Sequence, residues 1–123
     1  MLKSLLFLFV GGGFGAVVRF LIGKYSVQFF DSSFPVGTLA ANLFACGLVG
    51  LLVYQFNLRF DDTQKALYFL LVIGFCGGLS TFSTFGIETF ELLKQGNYLF
   101  ASLNIIISLV GGIAAVALLF KHQ

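Results

Sequence analysis

The chain has 123 residues, of which 59% are hydrophobic and only 10% are charged. Soluble globular domains carry roughly 25% charged residues, so this composition excludes a soluble domain and indicates an integral membrane protein. A net charge of +2 without any basic run gives no indication of nucleic-acid binding. A spanning helix needs roughly 20 apolar residues, so we expect an all-α protein with four spans in a single domain, residues 1–123.

The first apolar run, about 5–22, contains an arginine near its end. Its glycines at 11–13 and 15 permit close helix packing, because small residues dominate helix interfaces in lipid. A charge within a span costs roughly 2.5–3.5 kcal/mol and often has a functional reason. Arg19 is therefore predicted either to line a vestibule or to pin the helix end at the nearest interface.

The second span, about 36–56, follows Pro35 and contains two polar residues on one helical face, Thr38 and Asn42. An asparagine in lipid needs a hydrogen-bonding partner. It can hold two helices together or donate into a polar path, and both interpretations stay open.

The third apolar run, about 66–93, contains the segment GFCGGLSTFSTF at 74–85. Glycine and hydroxyl residues propagate a helix poorly. Irregular backbone at membrane depth is tolerated only where it is buried in protein or lines a polar cavity. The segment therefore predicts a third helix broken near its middle, where the freed carbonyl groups of residues 77–80 can bind a small cation.

The second half of this segment can handle an anion. Phe82 and Phe85 share one helical face, and the positive edges of their rings attract an anion weakly enough to release it. Ser83 and Thr84 add hydroxyl donors that can replace water around a small anion. The alternative is a packed phenylalanine pair with hydroxyls bonded back to their own helix.

The remaining residues contain no catalytic constellation, so we do not expect an enzyme. Glu88 lies in the last turns of the third span, where a carboxylate can stay close to water. The fourth span, about 98–120, places Asn104 and Ser108 four residues apart. Cys46 and Cys76 lie in apolar runs without metal-ligand spacing and are predicted to be small buried apolar residues.

The basic residues give only a weak preference for one orientation. With four spans, Lys3, Arg59, Lys65 and Lys121 share one side, against Lys24, Lys94 and the end of the first span at Arg19 on the other. A bias this small permits insertion in both orientations. An antiparallel dimer of two oppositely inserted copies is therefore conceivable.

Three motifs resemble those of the Fluc/CrcB fluoride channels: GGGFGAVVR at 11–19, GTLAAN at 37–42 and GFCGGLSTFSTF at 74–85. The resemblance covers all four spans in order. It implies a multi-pass protein of the bacterial inner membrane that lets fluoride leave the cell passively. It also implies an antiparallel, dual-topology homodimer with two pores in the lipid bilayer.

The resemblance also implies roles for individual residues. A structural sodium ion would be held between subunits by the backbone carbonyls of Gly77 and Ser80. The anion pathway would include Asn42, Phe82 and Phe85, with Thr38, Ser83, Thr84 and Ser108 near it, while Arg19 and Glu88 would have vestibule or structural roles. The chain departs from the family pattern at Ser80, where threonine is usual, and also at Gly86, Asn104 and Gly112.

Two other functions are compatible with four spans. A small dual-topology drug/proton antiporter needs a membrane-embedded carboxylate, which the first span lacks, while Glu88 and Glu91 lie near the end of the third. A non-transporting scaffold would need only the glycines and would leave the hydroxyl–phenylalanine cluster unexplained. A fluoride channel accounts for more of these residues than either alternative.

Overall fold

The structure, a computed structural model, describes residues 1–120, and all regular secondary structure in that range is helical. Its four long helices are apolar and long enough to cross a membrane: Leu2–Phe29, Val36–Gln55, Lys65–Lys94 and Tyr98–Ala117. The all-α class and the four spans are therefore confirmed. Lys121, which entered the orientation count, lies outside the described residues.

We number the helical elements in chain order. Helix α1 is Leu2–Phe29, and α2 is Val36–Gly50, continued by a π-helical stretch, Leu51–Gln55. Helix α3 occupies residues 65–79 and consists of Lys65–Leu67, a π-helix over Tyr68–Cys76, and Gly77–Leu79. Helix α4 is Phe82–Lys94, and α5 is Tyr98–Ala117.

Helix α1 continues beyond the apolar run that predicted it. The run ends at residue 22, whereas the helix passes through Lys24 and ends at Phe29. Backbone hydrogen bonding propagates through polar residues, so hydropathy marks the apolar part of a helix and not its end. Residues 23–29, which lie beyond the apolar run, therefore lengthen α1 and carry Lys24 on a helix.

Glycines bring α1 and α3 into backbone contact. A Cβ atom at Gly11 would overlap the carbonyl oxygen of Leu70, and one at Gly15 would overlap the carbonyl oxygen of Phe75. A Cβ at Gly78 of α3 would likewise overlap the carbonyl of Gly12. The close-packing role predicted for the α1 glycines is confirmed, and it lets α1 approach the π-helical part of α3, which has a wider cross-section.

The buried core lies where α3 ends. Ala41 and Ala45 of α2 pack with Leu79, the last residue of α3, and all three are nearly or fully buried. Partly buried side chains of α1 cover this cluster, including Val18 and Ile22. Small residues on α2 thus allow the end of α3 to lie in the centre of the bundle, with the next residues, 80 and 81, beside it.

Candidate ion-pathway site

Two residues with extended backbone separate α3 from α4. Ser80 has φ −78° and ψ 153°, and Thr81 has φ −150° and ψ 121°, before Phe82 begins the next helix. The hydroxyl of Thr81 accepts a hydrogen bond from the Thr84 N–H at 3.2 Å and caps α4. The irregular backbone therefore falls on the hydroxyl residues, whereas Gly77 belongs to the helical turn that precedes them.

Asn42 holds this extended segment with two hydrogen bonds. Its Nδ2 donates to the Thr81 carbonyl at 3.1 Å, and its Oδ1 accepts from the Thr81 N–H at 2.6 Å. In an unbroken helix, the Thr81 N–H would donate to the carbonyl of Gly77. The amide of Asn42 thus replaces a helical partner and links α2 to the interruption, as expected of an interhelical hydrogen bond in lipid.

Arg19 reaches toward the same segment from α1. One terminal guanidinium nitrogen donates to the Ser80 carbonyl at 3.2 Å, and the side chain is partly buried. The charge is therefore directed into the bundle. The carbonyl predicted to bind sodium already accepts one hydrogen bond, which leaves one lone pair of that oxygen for another ligand.

Thr38 and Glu88 form a polar pair between α2 and α4. The Thr38 hydroxyl donates to Glu88 Oε1 at 2.8 Å, while Glu88 Oε2 is buried and has no hydrogen-bonding partner among the described residues. Buried carboxylate oxygens are nearly always bonded, so Glu88 Oε2 is an exception among the described residues. Thr38 and Glu88 were predicted as separate site residues, and the structure joins them by a direct hydrogen bond.

The two phenylalanines of the motif form a neighbouring pair. The ring centroids of Phe82 and Phe85 lie 5.5 Å apart, with a 37° angle between the ring planes. Phe82 is 80% exposed on the protomer, and Phe85 is partly buried. The predicted shared face is confirmed. The exposure of Phe82 leaves its ring available to an ion, to lipid or to another chain.

The hydroxyls of this region bond to one another. The Thr81 hydroxyl donates to Thr84 Oγ1 at 3.1 Å and lies 3.4 Å from Ser83 Oγ. Ser108 lies apart from this group: its hydroxyl donates to Asn104 Oδ1 at 3.4 Å, and Asn104 donates to Thr89 at 3.0 Å. Ser83 and Thr84 are therefore close to the interruption, whereas Ser108 belongs to a separate link between α4 and α5.

A cleft of about 530 Å³ opens between α1, α2 and α4. Its polar lining residues are Arg19, Lys24, Thr38, Thr84 and Glu88. A second cleft, of about 400 Å³, shares Thr38 and Glu88 with the first and also contains Glu91. Of the predicted site residues, Arg19, Thr38, Thr84 and Glu88 therefore meet in one vestibule.

Residues 6–120 match the family model described as CrcB-like protein, Camphor Resistance (CrcB). The chain belongs to the CrcB family. Three similar relatives are each named fluoride-specific ion channel FluC. The protein of Leptospira interrogans (serovar copenhageni) is 44% identical over 90% of this chain and 87% of the relative. That of Citrifermentans bemidjiense is 40% identical over 89% and 87%, and that of Salmonella arizonae is 41% identical over 98% and 93%.

The family resemblance predicted from the three motifs is confirmed by this match. The relatives carry the name of a channel and not of an enzyme, in agreement with the predicted lack of catalysis. Together with the four apolar helices, they identify the chain as a multi-pass membrane protein.

A third cleft in this CrcB-family chain, of about 230 Å³, contains the two predicted sodium ligands. Gly77, Ser80, Cys46 and Cys76 are among its lining residues. Because the Thr81 N–H donates to Asn42, the Gly77 carbonyl lacks its helical partner at that position. Neutral carbonyl oxygens suit a hard cation, but one chain supplies only two, and Ser80 shares its oxygen with Arg19. The two carbonyl oxygens suit a hard cation in type, but they are fewer than the roughly six or more oxygen ligands that such a cation usually takes.

Sequence reasoning missed two residues of this region. Thr81 caps α4, and its backbone carbonyl and N–H form the two hydrogen bonds with the Asn42 amide. The sequence signal was a hydroxyl residue directly before a helical segment. Lys24 lines the vestibule because α1 continues past its apolar run. No spacing in the sequence associates Lys24 with Thr84 or Glu88, since the association depends on how three helices pack.

Proposed function

We propose that this chain is a fluoride-selective channel that lets fluoride leave the cytoplasm of a bacterium passively across the inner membrane. The functional unit is an antiparallel, dual-topology homodimer with two pores. A structural sodium ion lies between the subunits and stabilises the assembly. The anion passes Asn42, Phe82 and Phe85.

We assign fluoride as the permeant ion because relatives that match nearly the whole chain are each named fluoride-specific ion channel FluC. The geometry supports a pore near the interruption. Asn42 uses one Nδ2 hydrogen for the Thr81 carbonyl, and its amide has a second hydrogen that can donate to an anion. The ring edges of Phe82 and Phe85 add a weak attraction without a fixed charge, which permits release.

The exposure of the motif supports a second copy. Phe82 and Gly77 are both exposed on the protomer, although they lie at the middle of a membrane span. A polar, interrupted backbone cannot face lipid without a large cost. A second copy covering this face would protect the interruption and contribute the carbonyl ligands that a sodium ion needs.

The antiporter alternative would depend on Glu88, the carboxylate with a buried, unpartnered oxygen. Glu88 is, however, bonded to Thr38 and lies among two cations, Arg19 and Lys24, which line the same cleft. A site for cationic drugs would need the opposite charge balance. The vestibule therefore favours anion passage.

Ion flux from liposomes tests the proposed function. Purified protein reconstituted into vesicles loaded with equal potassium fluoride and potassium chloride is expected to release fluoride rapidly and to retain most chloride once potassium is allowed to leave. Ion-selective electrodes measure both anions. Equal release of the two, or no release from protein shown to be folded, would exclude a fluoride channel, and proton-driven uptake of a cationic dye would favour the antiporter.

Gly77→Ala tests the dimer and the cation site together. A Cβ at Gly77 meets nothing within 4 Å in the protomer, so the helices themselves accommodate alanine. At the proposed dimer axis the methyl group would crowd the partner or the sodium ion. We expect normal helix content by circular dichroism but a dimer weakened about tenfold or more, equivalent to about 1.4 kcal/mol.

Gly13→Ala is the matched control, because Gly13 is also exposed, its Cβ also meets nothing within 4 Å, and it lies on α1 and not on the Phe82 face of α4. Dilution series measured by size-exclusion chromatography or single-molecule photobleaching give the dimer affinity, and repetition without sodium tests the ion. If Gly77→Ala and Gly13→Ala dimerise equally well, Gly77 does not lie at the dimer axis.

A further inference from the structure

Among the charged side chains that line the vestibule, Lys24 is the one that forms no hydrogen bond or ion pair with the described residues, whereas Arg19 bonds to Ser80 and Glu88 to Thr38. It lies on the part of α1 that extends beyond the predicted apolar run, five residues after Arg19. Together with Arg19, Thr38, Thr84 and Glu88 it lines the 530 Å³ cleft between α1, α2 and α4. Its side chain is exposed to the opening of that cleft.

The Lys24 ammonium forms no salt bridge within residues 1–120. Arg19 donates to the Ser80 carbonyl, Lys94 lies 3.8 Å from Glu91 Oε1, and Lys65 lies over the ring of Phe60. No ion pair, side-chain hydrogen bond or ring contact of this kind involves the Lys24 ammonium in the described part of the chain. Its field is therefore free to act on an ion in the cleft.

The cleft has a net positive charge. Arg19 and Lys24 contribute two positive charges, and the carboxyl of Glu88 contributes at most one negative charge. The carboxyl is also held by the Thr38 hydroxyl at its Oε1 atom. Low-dielectric walls focus the field of such a cleft and raise the local concentration of ions of opposite sign.

We infer that Lys24 is an electrostatic steering residue that concentrates small anions at the mouth of the pathway. This inference rests on the proposed function. Lys24 increases the rate at which fluoride reaches the Asn42–Phe82 region without contacting the anion in the pore. Because a point charge attracts chloride and fluoride alike, Lys24 affects throughput and leaves the fluoride-to-chloride ratio unchanged.

Neutralisation of Lys24 and Lys94 gives a matched test. Both residues are exposed lysines, α1 and α4 end on the same side of the bundle, and each change removes one positive charge. Lys94, however, is paired with Glu91 and is not among the residues lining the three clefts described. Wild type, Lys24→Gln, Lys24→Arg and Lys94→Gln are reconstituted at equal protein density, and fluoride flux is measured at about 10 mM and about 300 mM ionic strength.

At low ionic strength and low fluoride concentration, we expect Lys24→Gln to lower fluoride flux about tenfold. The Debye length falls from about 30 Å at 0.01 M to below about 8 Å at higher salt, so the deficit should shrink to less than about twofold at 300 mM. Lys24→Arg should retain wild-type flux, Lys94→Gln should change it little, and all variants should keep the same fluoride-to-chloride ratio.

Three results would overturn the inference. Equal losses in Lys24→Gln and Lys94→Gln would mean that only the general surface potential matters. A deficit that is the same at both ionic strengths would mean that Lys24 acts through the structure of the mouth. Wild-type flux in Lys24→Gln at low salt would show that Lys24 does not steer anions to the pathway. A wild-type protein without fluoride flux contradicts the proposed function itself, and the two failures are thereby distinguished.

Discussion

Replacing Phe82 or Phe85 with isoleucine is expected to reduce fluoride flux by about tenfold or more, which corresponds to an added barrier of at least about 1.4 kcal/mol. Isoleucine is apolar but has no ring quadrupole, so the positive ring edge proposed to attract the anion is lost. The rings are 5.5 Å apart on one face of α4, and either substitution interrupts that face. Flux from liposomes measures the effect.

Phe9→Ile provides the control for this substitution. Phe9 is 80% exposed on the protomer, the same fraction as Phe82, but lies near the start of α1 and far in sequence from the motif. We expect Phe9→Ile to keep wild-type flux, and all three variants to form dimers. Wild-type flux in both Phe82→Ile and Phe85→Ile would remove the pair from the pore.

The second large effect is expected for Gly15→Ala, which should prevent α1 from packing on α3. A Cβ at Gly15 would overlap the Phe75 carbonyl oxygen and lie 2.7 Å from the Leu79 nitrogen. Both are backbone atoms and cannot rotate away. Overpacking a well-packed site typically costs about 1–3 kcal/mol, and we expect a cost at or above the upper end of this range.

Gly13→Ala on the same helix is the matched control, because its Cβ meets nothing within 4 Å. Thermal unfolding followed in detergent, together with the yield of monodisperse protein, compares the two variants. Gly15→Ala should lower both quantities sharply and Gly13→Ala neither. Equal stability of the two variants would show that α1 and α3 are not in backbone contact at this position.

The substitutions at Gly15 and at the two phenylalanines affect the same part of the bundle, around the interruption between α3 and α4. Gly15 lets α1 approach α3 closely enough to place Leu79 in the core. Beyond Leu79, Asn42 and Arg19 hold the two extended residues, and Thr81 starts α4. The orientation of the phenylalanine face therefore depends on contacts from both α1 and α2, which explains why a change at Gly15 should also abolish transport.

The hydrophobic pattern alone was sufficient to predict the membrane class and four spans, because burial in lipid requires long apolar runs. The glycines of α1 and the hydroxyl-rich motif also indicated where helices approach closely and where regular helix is weakest. The position of the extended residues within the motif was less well predicted. Gly77 is helical in the structure, since glycine permits an irregular backbone without requiring one.

Tertiary structure decided which polar groups meet. Asn42 and Thr81 are 39 residues apart in sequence, and Arg19 and Ser80 are 61 apart, yet each pair shares a hydrogen bond. A buried polar group must find some partner, but its residue type does not specify which one. The sequence by itself thus determined that this chain spans a membrane, and its motifs predicted the family. Helix packing alone decided that Arg19 and Asn42 hold the extended residues Ser80 and Thr81 and that Lys24 lines the vestibule, because such contacts depend on the relative placement of separate helices.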